Sequence, residues 1–159
     1  MSCIRSRDTR PELTVRRYLF AKGYRYRKNV RGMPGTPDIV LQKYRCCIFV
    51  HGCFWHGHGH MHLPATRAQY WREKIARNRQ RDEESKARLR AMGWNVLTIW
   101  ECQLAPNKRQ KILEGLEYRL NQALLALLLR KKPRRAPYPM EQEPLPAAAE
   151  GGAQYGKKE

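Results

Sequence analysis

Apolar and polar positions along this chain fall into stretches with either a helical or an extended period. "TRPELTVRRYLFAKG" opens with Thr9 and carries Glu12 three residues later, the pattern of a capping box, with Pro11 tolerated in the first turn. Leu13, Arg16, Arg17 and Phe20 continue a helix that Gly23 ends. "YRYRKNV" alternates and predicts a strand, and "RGMPGTP" (Arg31–Pro37) predicts a turn-rich loop. "DIVLQKY" and "RCCIFVHG" predict two more strands, joined tightly at Lys43–Arg45. A long charged helix is then expected from about Thr66 to Met92, stopped by Gly93. On it Ala68, Trp71, Ile75, Asn78, Asp82, Ser85, Leu89 and Met92 step by three and four, tracing one inward stripe. "WNVLTIWEC" (Trp94–Cys102) predicts another strand. Lys108–Lys132 predicts a last amphipathic helix, with Leu113, Leu116, Leu120, Leu124 and Leu127 on one face. The order helix, three strands, helix, strand, helix implies an α/β sandwich around a mixed central sheet.

Composition adds a tail and a partner. The chain has 159 residues, 42% of them hydrophobic, enough for one folded domain. Residues 133–159 turn to Pro, Ala, Gly and Glu and hold five of the ten prolines, so a disordered tail is expected after a domain spanning residues 1–132. The formal net charge is +18, and six Lys/Arg against four Asp/Glu from Lys131 onward leave +16 of it on the body. Such a charge favours a polyanion, either nucleic acid or an anionic membrane surface. "ALLALLL" (Ala123–Leu129) is the longest apolar run, far below the ~20 residues of a membrane span, so nucleic acid leads. Met1 is followed by polar and basic residues, and the cysteine count is odd at five; reduced thiols in a cytoplasmic protein are the expectation.

The candidate chemistry is concentrated in "HGCFWHGHGHMH" (His51–His62), which contains every histidine of the chain. Cys53, His58, His60 and distant Cys102 form a donor set suited to tetrahedral Zn²⁺. Buried thiols and solvated imidazoles are the plainer reading, and five histidines confined to one loop favour the metal. His56 and His62 compete as ligands on spacing alone. Asp38, after Pro37, could be a turn former. It also opens an apolar strand whose hairpin partner runs into the histidine loop, the way a Mg²⁺-binding carboxylate is presented to a phosphodiester. Asp82 lies on the inward stripe and needs a partner there, either an imidazole from the loop or an arginine. Capping alone accounts for Glu12. Phe54 and Trp55 are adjacent large aromatics that cannot both be buried easily; with Trp71 they could, in a basic protein, stack on or wedge between bases, core packing being the alternative for one of them.

Together "RSRDTRPE", "PGTPD", "HGCFWHGH", "PATRAQYWREKIARNRQRD" and "GWNVLTIWEC" resemble, in order and spacing, the very-short-patch repair (Vsr) DNA mismatch endonucleases, single-domain relatives of the PD-(D/E)xK restriction-endonuclease fold. The resemblance covers roughly residues 1–104. It implies a Mg²⁺-dependent enzyme that nicks double-stranded DNA 5′ to the thymine of a T:G mismatch left by 5-methylcytosine deamination. It also implies Asp38 as Mg²⁺ ligand, aided by the backbone carbonyl of Val50 where the family often has threonine. His56 would be the base, Asp82 the carboxylate that orients it, and His51 and Glu12 supporting residues. Cys53, His58, His60 and Cys102 fall on the structural zinc positions, with His60 in place of the usual cysteine. Phe54, Trp55, Trp71 and Met1 fall on DNA-contacting positions, Met1 standing where the family's N-terminal arm would precede it. A monomer associated with the nucleoid and serving mismatch-repair proteins is the matching expectation. The rivals are a nickase for another mismatch or a structured DNA, and a non-catalytic zinc-stapled DNA-binding module.

Overall fold

A computed structural model describes residues 8–59 and 66–131. Met1, His60 and residues 133–159 therefore lie outside the described residues. The elements are α1 (Arg10–Ala21), β1 (Arg27–Lys28), β2 (Ile39–Leu41), β3 (Cys46–His51), α2 (Ala68–Ala91), β4 (Asn95–Trp100) and α3 (Pro106–Lys131). The sheet runs β1-β2-β3-β4, antiparallel between its first three strands and parallel between β3 and β4. This is the mixed sheet that the element order implied.

Alternation along the inner strands explains the layers. Ile39, Leu41, Cys46 and Ile48 point into one cluster with Val15 and Leu19 of α1 and Leu113, Leu116 and Leu120 of α3. Val40, Cys47 and Phe49 point the opposite way, against Leu89 of α2. Both faces of β2 and β3 are thus covered, which is why their sequences read as almost unbroken apolar runs. Parallel β3 and β4 require a crossover, and α2 supplies it, so the histidine loop leaves the C-terminal end of β3 beside the C-terminal end of β4.

Local chemistry sets the ends of these elements. Thr9 caps α1, and Gly23, at φ +83°, takes the left-handed conformation just beyond it. The strand expected over "DIVLQKY" stops at Leu41, because Gln42–Tyr44 form a single 3-10 turn and Arg45 turns left-handed at φ +48° to reverse the chain into β3. The strand expected over "YRYRKNV" pairs only at Arg27 and Lys28; Tyr24 is drawn into the core before it and Asn29, at φ +48°, breaks it after. On α2, Ile75 and Leu89 are buried and Asn78, Asp82 and Ser85 half-buried. Met92 leaves the stripe, 51% exposed, because the helix has already ended at Ala91. Lys86 is buried instead. Leu124 and Leu127, on the expected apolar face of α3, are only half-buried. No helix among the described residues is long and apolar enough to cross a membrane.

Candidate active site

The hairpin of β2 and β3 brings Asp38 to the end of β3. Its Oδ2 accepts the Val50 N–H at 2.7 Å, so Val50 meets this carboxylate through its amide. Burial pushes the Asp38 carboxyl up to about 6; the Glu12 charge pushes the same way, against the Val50 N–H, Arg16 and His56. Glu12 approaches from α1. Its carboxylate accepts the Thr9 hydroxyl at 2.9 Å and the Asp8 N–H at 3.1 Å, and lies 3.0 Å from Arg16. The capping interaction is therefore present, and the same side chain also faces the cleft that Asp38 lines.

His56 and Asp82 meet directly. His56 Nδ1 lies 2.5 Å from Asp82 Oδ2, so an imidazole of the loop is the partner that Asp82 meets. Burial would raise the Asp82 carboxyl, yet the hydrogen bond and charge of His56 hold it below the usual carboxylate range. An ionised carboxylate only accepts, so Nδ1 carries the proton and Nε2 is left with a lone pair. His51 stacks on His56 with centroids 3.8 Å apart and planes at 8°. It is buried, and among the described residues its Nδ1 has no hydrogen-bond partner, with Asp82 Oδ2 at 3.9 Å. Burial first, then the charges of His56 and Lys86, take His51 down to about 4 against the pull of Asp82 and Glu83.

Glu12, Asp38, Val50, His51, His56 and Asp82 line one cleft of about 880 Å³. The loop that carries His56 is pinned to α2: Asn78 Nδ2 donates to the Trp55 carbonyl at 3.0 Å, and a Cβ on Gly57, at φ +66°, would stand 2.9 Å from Ile75. Four carboxylates line this cleft, those of Glu12, Asp38, Asp82 and Glu101, an oxygen-rich setting that fits a hard divalent cation such as Mg²⁺.

A second cluster sits beside the first. His58 Nδ1 lies 3.6 Å from Cys53 Sγ and 3.5 Å from Cys102 Sγ, and the three donor atoms lie within 4.8 Å of one another. Ligands about 2.0 and 2.3 Å from one tetrahedral ion would stand about 3.6 Å apart, so these donors fit Zn²⁺. Cys102 belongs to the 3-10 turn Glu101–Leu104 that follows β4, and Trp100 stacks on the His58 ring at 4.1 Å. The fourth expected donor, His60, lies outside the described residues.

Phe54, Trp55 and Trp71 form a half-buried triangle with centroid separations of 5.2, 5.4 and 5.9 Å. Lys74 Nζ rests 5.5 Å from the Trp55 ring and 5.3 Å from the Trp71 ring, and exposed Tyr70 extends the cluster. Sequence patterns do not single out several residues found at these sites: Tyr70, Lys74, Trp100, Glu101, Arg16 and Lys86. The last two stand four residues after Glu12 and Asp82 on their helices, and that spacing beside a functional acid was the available signal.

A family model described as DNA mismatch endonuclease Vsr matches residues 1–62. The chain is 47% identical over 126 residues to the type II nicking enzyme V.XorIIP of Xanthomonas oryzae pv. oryzae, which covers 78% of this chain and 88% of that protein. It is 44% identical over 126 residues to the DNA mismatch endonuclease Vsr of Escherichia coli, covering 77% and 79% of the two chains. To the type II nicking enzyme V.NmeAIP of Neisseria meningitidis it is 46% identical over 103 residues, 64% of this chain and 74% of that one.

Proposed function

The chain belongs to the Vsr family of DNA mismatch endonucleases, nucleases of restriction-endonuclease-like fold, and from that premise we propose that it nicks one strand of double-stranded DNA 5′ to the thymine of a T:G mismatch, using Mg²⁺. The single observation that carries this reading is the meeting of the His56–Asp82 pair with Asp38 and Glu12 across one cleft.

Asp38 and the Val50 carbonyl, with Glu12 beside them, are the residues that would hold Mg²⁺, which when bound would polarise the phosphate and offset charge on the leaving oxygen. His56 takes a proton from water at Nε2 while Asp82 accepts the hydrogen bond of its Nδ1–H, which stays on the ring, and stabilises the imidazolium that results. His51, kept neutral by burial, supports the His56 ring as a stacked neighbour and adds no competing charge. Cys53, His58, His60 and Cys102 would hold a structural Zn²⁺ that ties the histidine loop to the end of β4. Phe54, Trp55 and Trp71 select the lesion by wedging beside a wobble pair, which unstacks at lower cost than a Watson–Crick pair. Basic side chains along Arg67–Arg90 neutralise the flanking phosphates, making binding strongly salt-dependent. Residues 1–132 form the catalytic unit in this reading, acting as a monomer at the nucleoid.

Strand cleavage is measured on T:G, other mismatched and fully paired duplexes. Selective nicking 5′ to the mismatched T supports the proposal. Nicking confined to another mismatch or a structured DNA moves the substrate, and binding with no cleavage of any duplex overturns the enzymatic reading. In the same assay Asp38→Ala should lose nicking and keep DNA affinity, since affinity rests on Lys and Arg contacts; a variant that still nicks at the parent rate would remove Asp38 from the metal site.

A further inference from the structure

Arg16 is an arginine only 4% exposed in a helix face otherwise given to the core residues Val15 and Leu19. Its fork reaches two elements at once. One arm pairs with Asp8. The other lies 3.0 Å from the Glu12 carboxylate and donates to the Asp38 main-chain carbonyl at 3.0 Å, with Asn29 Oδ1 at 3.4 Å. Asp8 is in turn 3.6 Å from Lys28 of β1. Arg16 makes no bond to the Asp38 carboxylate, whose Oδ2 is taken by Val50.

This division of contacts is selective. Glu12 comes from α1 and Asp38 precedes β2, so core packing sets the distance between the two elements but no short stretch of chain fixes these two acids to each other. A guanidinium is a rigid planar donor array that can bridge both. It also supplies one buried positive charge beside two acids that would otherwise repel each other. We propose that Arg16 is a positioning residue for the cleavage site: it locks the Glu12 side chain and the Asp38 main chain into one frame and leaves the Asp38 carboxylate open to a divalent cation. The inference rests on the cleavage reading above, in which Asp38 holds that cation.

The sign of the effect separates this role from that of a bystander charge. Hydrogen-bonded partners of metal-binding side chains typically contribute 10–100-fold to metal affinity. Simple removal of a positive charge near the site would do the reverse and tighten cation binding. Ca²⁺ serves as the probe, titrated calorimetrically into the protein bound to a T:G duplex, where no cleavage need be read. Arg16→Lys retains the charge and loses the fork; it should weaken Ca²⁺ binding by about 10-fold or more, with the melting temperature of the metal-free protein little changed. Arg16→Met, if folded, should weaken it further; if it does not fold, the lysine variant decides. Ca²⁺ affinity in Arg16→Lys that equals or exceeds the parent's overturns the inference, as does a lowered melting temperature with unchanged affinity. A parent protein that takes no Ca²⁺ overturns it together with the metal assignment. Ca²⁺ binding that Asp38→Ala abolishes establishes the site without reference to cleavage, so a failure to nick T:G would then count against the substrate alone.

Discussion

His56 and His58 are two residues apart in one glycine-rich loop, and their surroundings are opposite. His56 faces a carboxylate, Asp82, in a cleft lined by oxygen acceptors, with His51 stacked against it. His58 stands between two thiols with an indole stacked on it. An imidazole is chemically the same in both places. What differs is the group its Nδ1 meets: a hard, ionised acceptor orients the ring and fixes its tautomer, whereas sulfur donors around a nitrogen form a soft metal set. The lesson is that neighbouring histidines take their roles from the elements packed against them, α2 for His56 and the turn after β4 for His58.

The sharpest way to break this contrast is to exchange the losses. His56→Ala should lower the nicking rate by roughly 10²–10⁴-fold, the usual contribution of a general base, with little change in melting temperature. His58→Ala should do the opposite, lowering stability and zinc content first. Equal effects of the two substitutions on both measurements would erase the distinction. Next in size is metal removal. Chelating zinc, or replacing Cys102 with Ala, should lower metal content and melting temperature together. Metal analysis finding no zinc in an intact fold would remove the second region's role.

A smaller effect tests the aromatic triangle that begins between these histidines. Trp55→Ala or Trp71→Ala should weaken T:G binding by about 1–3 kcal/mol and narrow its preference over paired DNA. Losing one arginine of α2 should weaken both duplexes alike. Competition binding at fixed salt reads the difference, and full discrimination in both tryptophan variants would make them packing residues.

A further effect is a slope with pH. His51 is pushed from 6.5 down to about 4, so the unfolded chain binds its proton first. Its contribution to stability is complete above about 6.5 and fades as pH falls toward 4, by at most about 1.4 kcal/mol per pH unit. Asp38, raised from 3.8 to about 6, has the opposite slope, its contribution fading as pH rises through that window. The two are separated by comparing His51→Gln with the parent in denaturant titrations between pH 4 and 7. An unchanged slope would mean that His51 is not held neutral by the fold.

What the sequence determined by itself was whatever depends on neighbours along the chain. The capping pair Thr9 and Glu12, the inward stripe on α2, the leucines of α3 and the apolar runs of β2 and β3 all encode their elements locally, because period and capping are short-range properties. The confinement of every histidine to His51–His62 likewise marked the loop before any fold was known. The choice between imidazole and arginine for Asp82 was not legible, since it depends on the α2 crossover laying that residue against the loop. The early ends of β1 and β2 were missed because left-handed Asn29 and Arg45 are non-glycine residues whose turns the hydrophobic pattern does not announce. Arg16 and Lys86 escaped notice because long charged residues on helices are ordinarily solvated. Only packing buried them, one beneath Glu12 and Asp38 and the other one turn from Asp82, where charge is stable only beside its opposite.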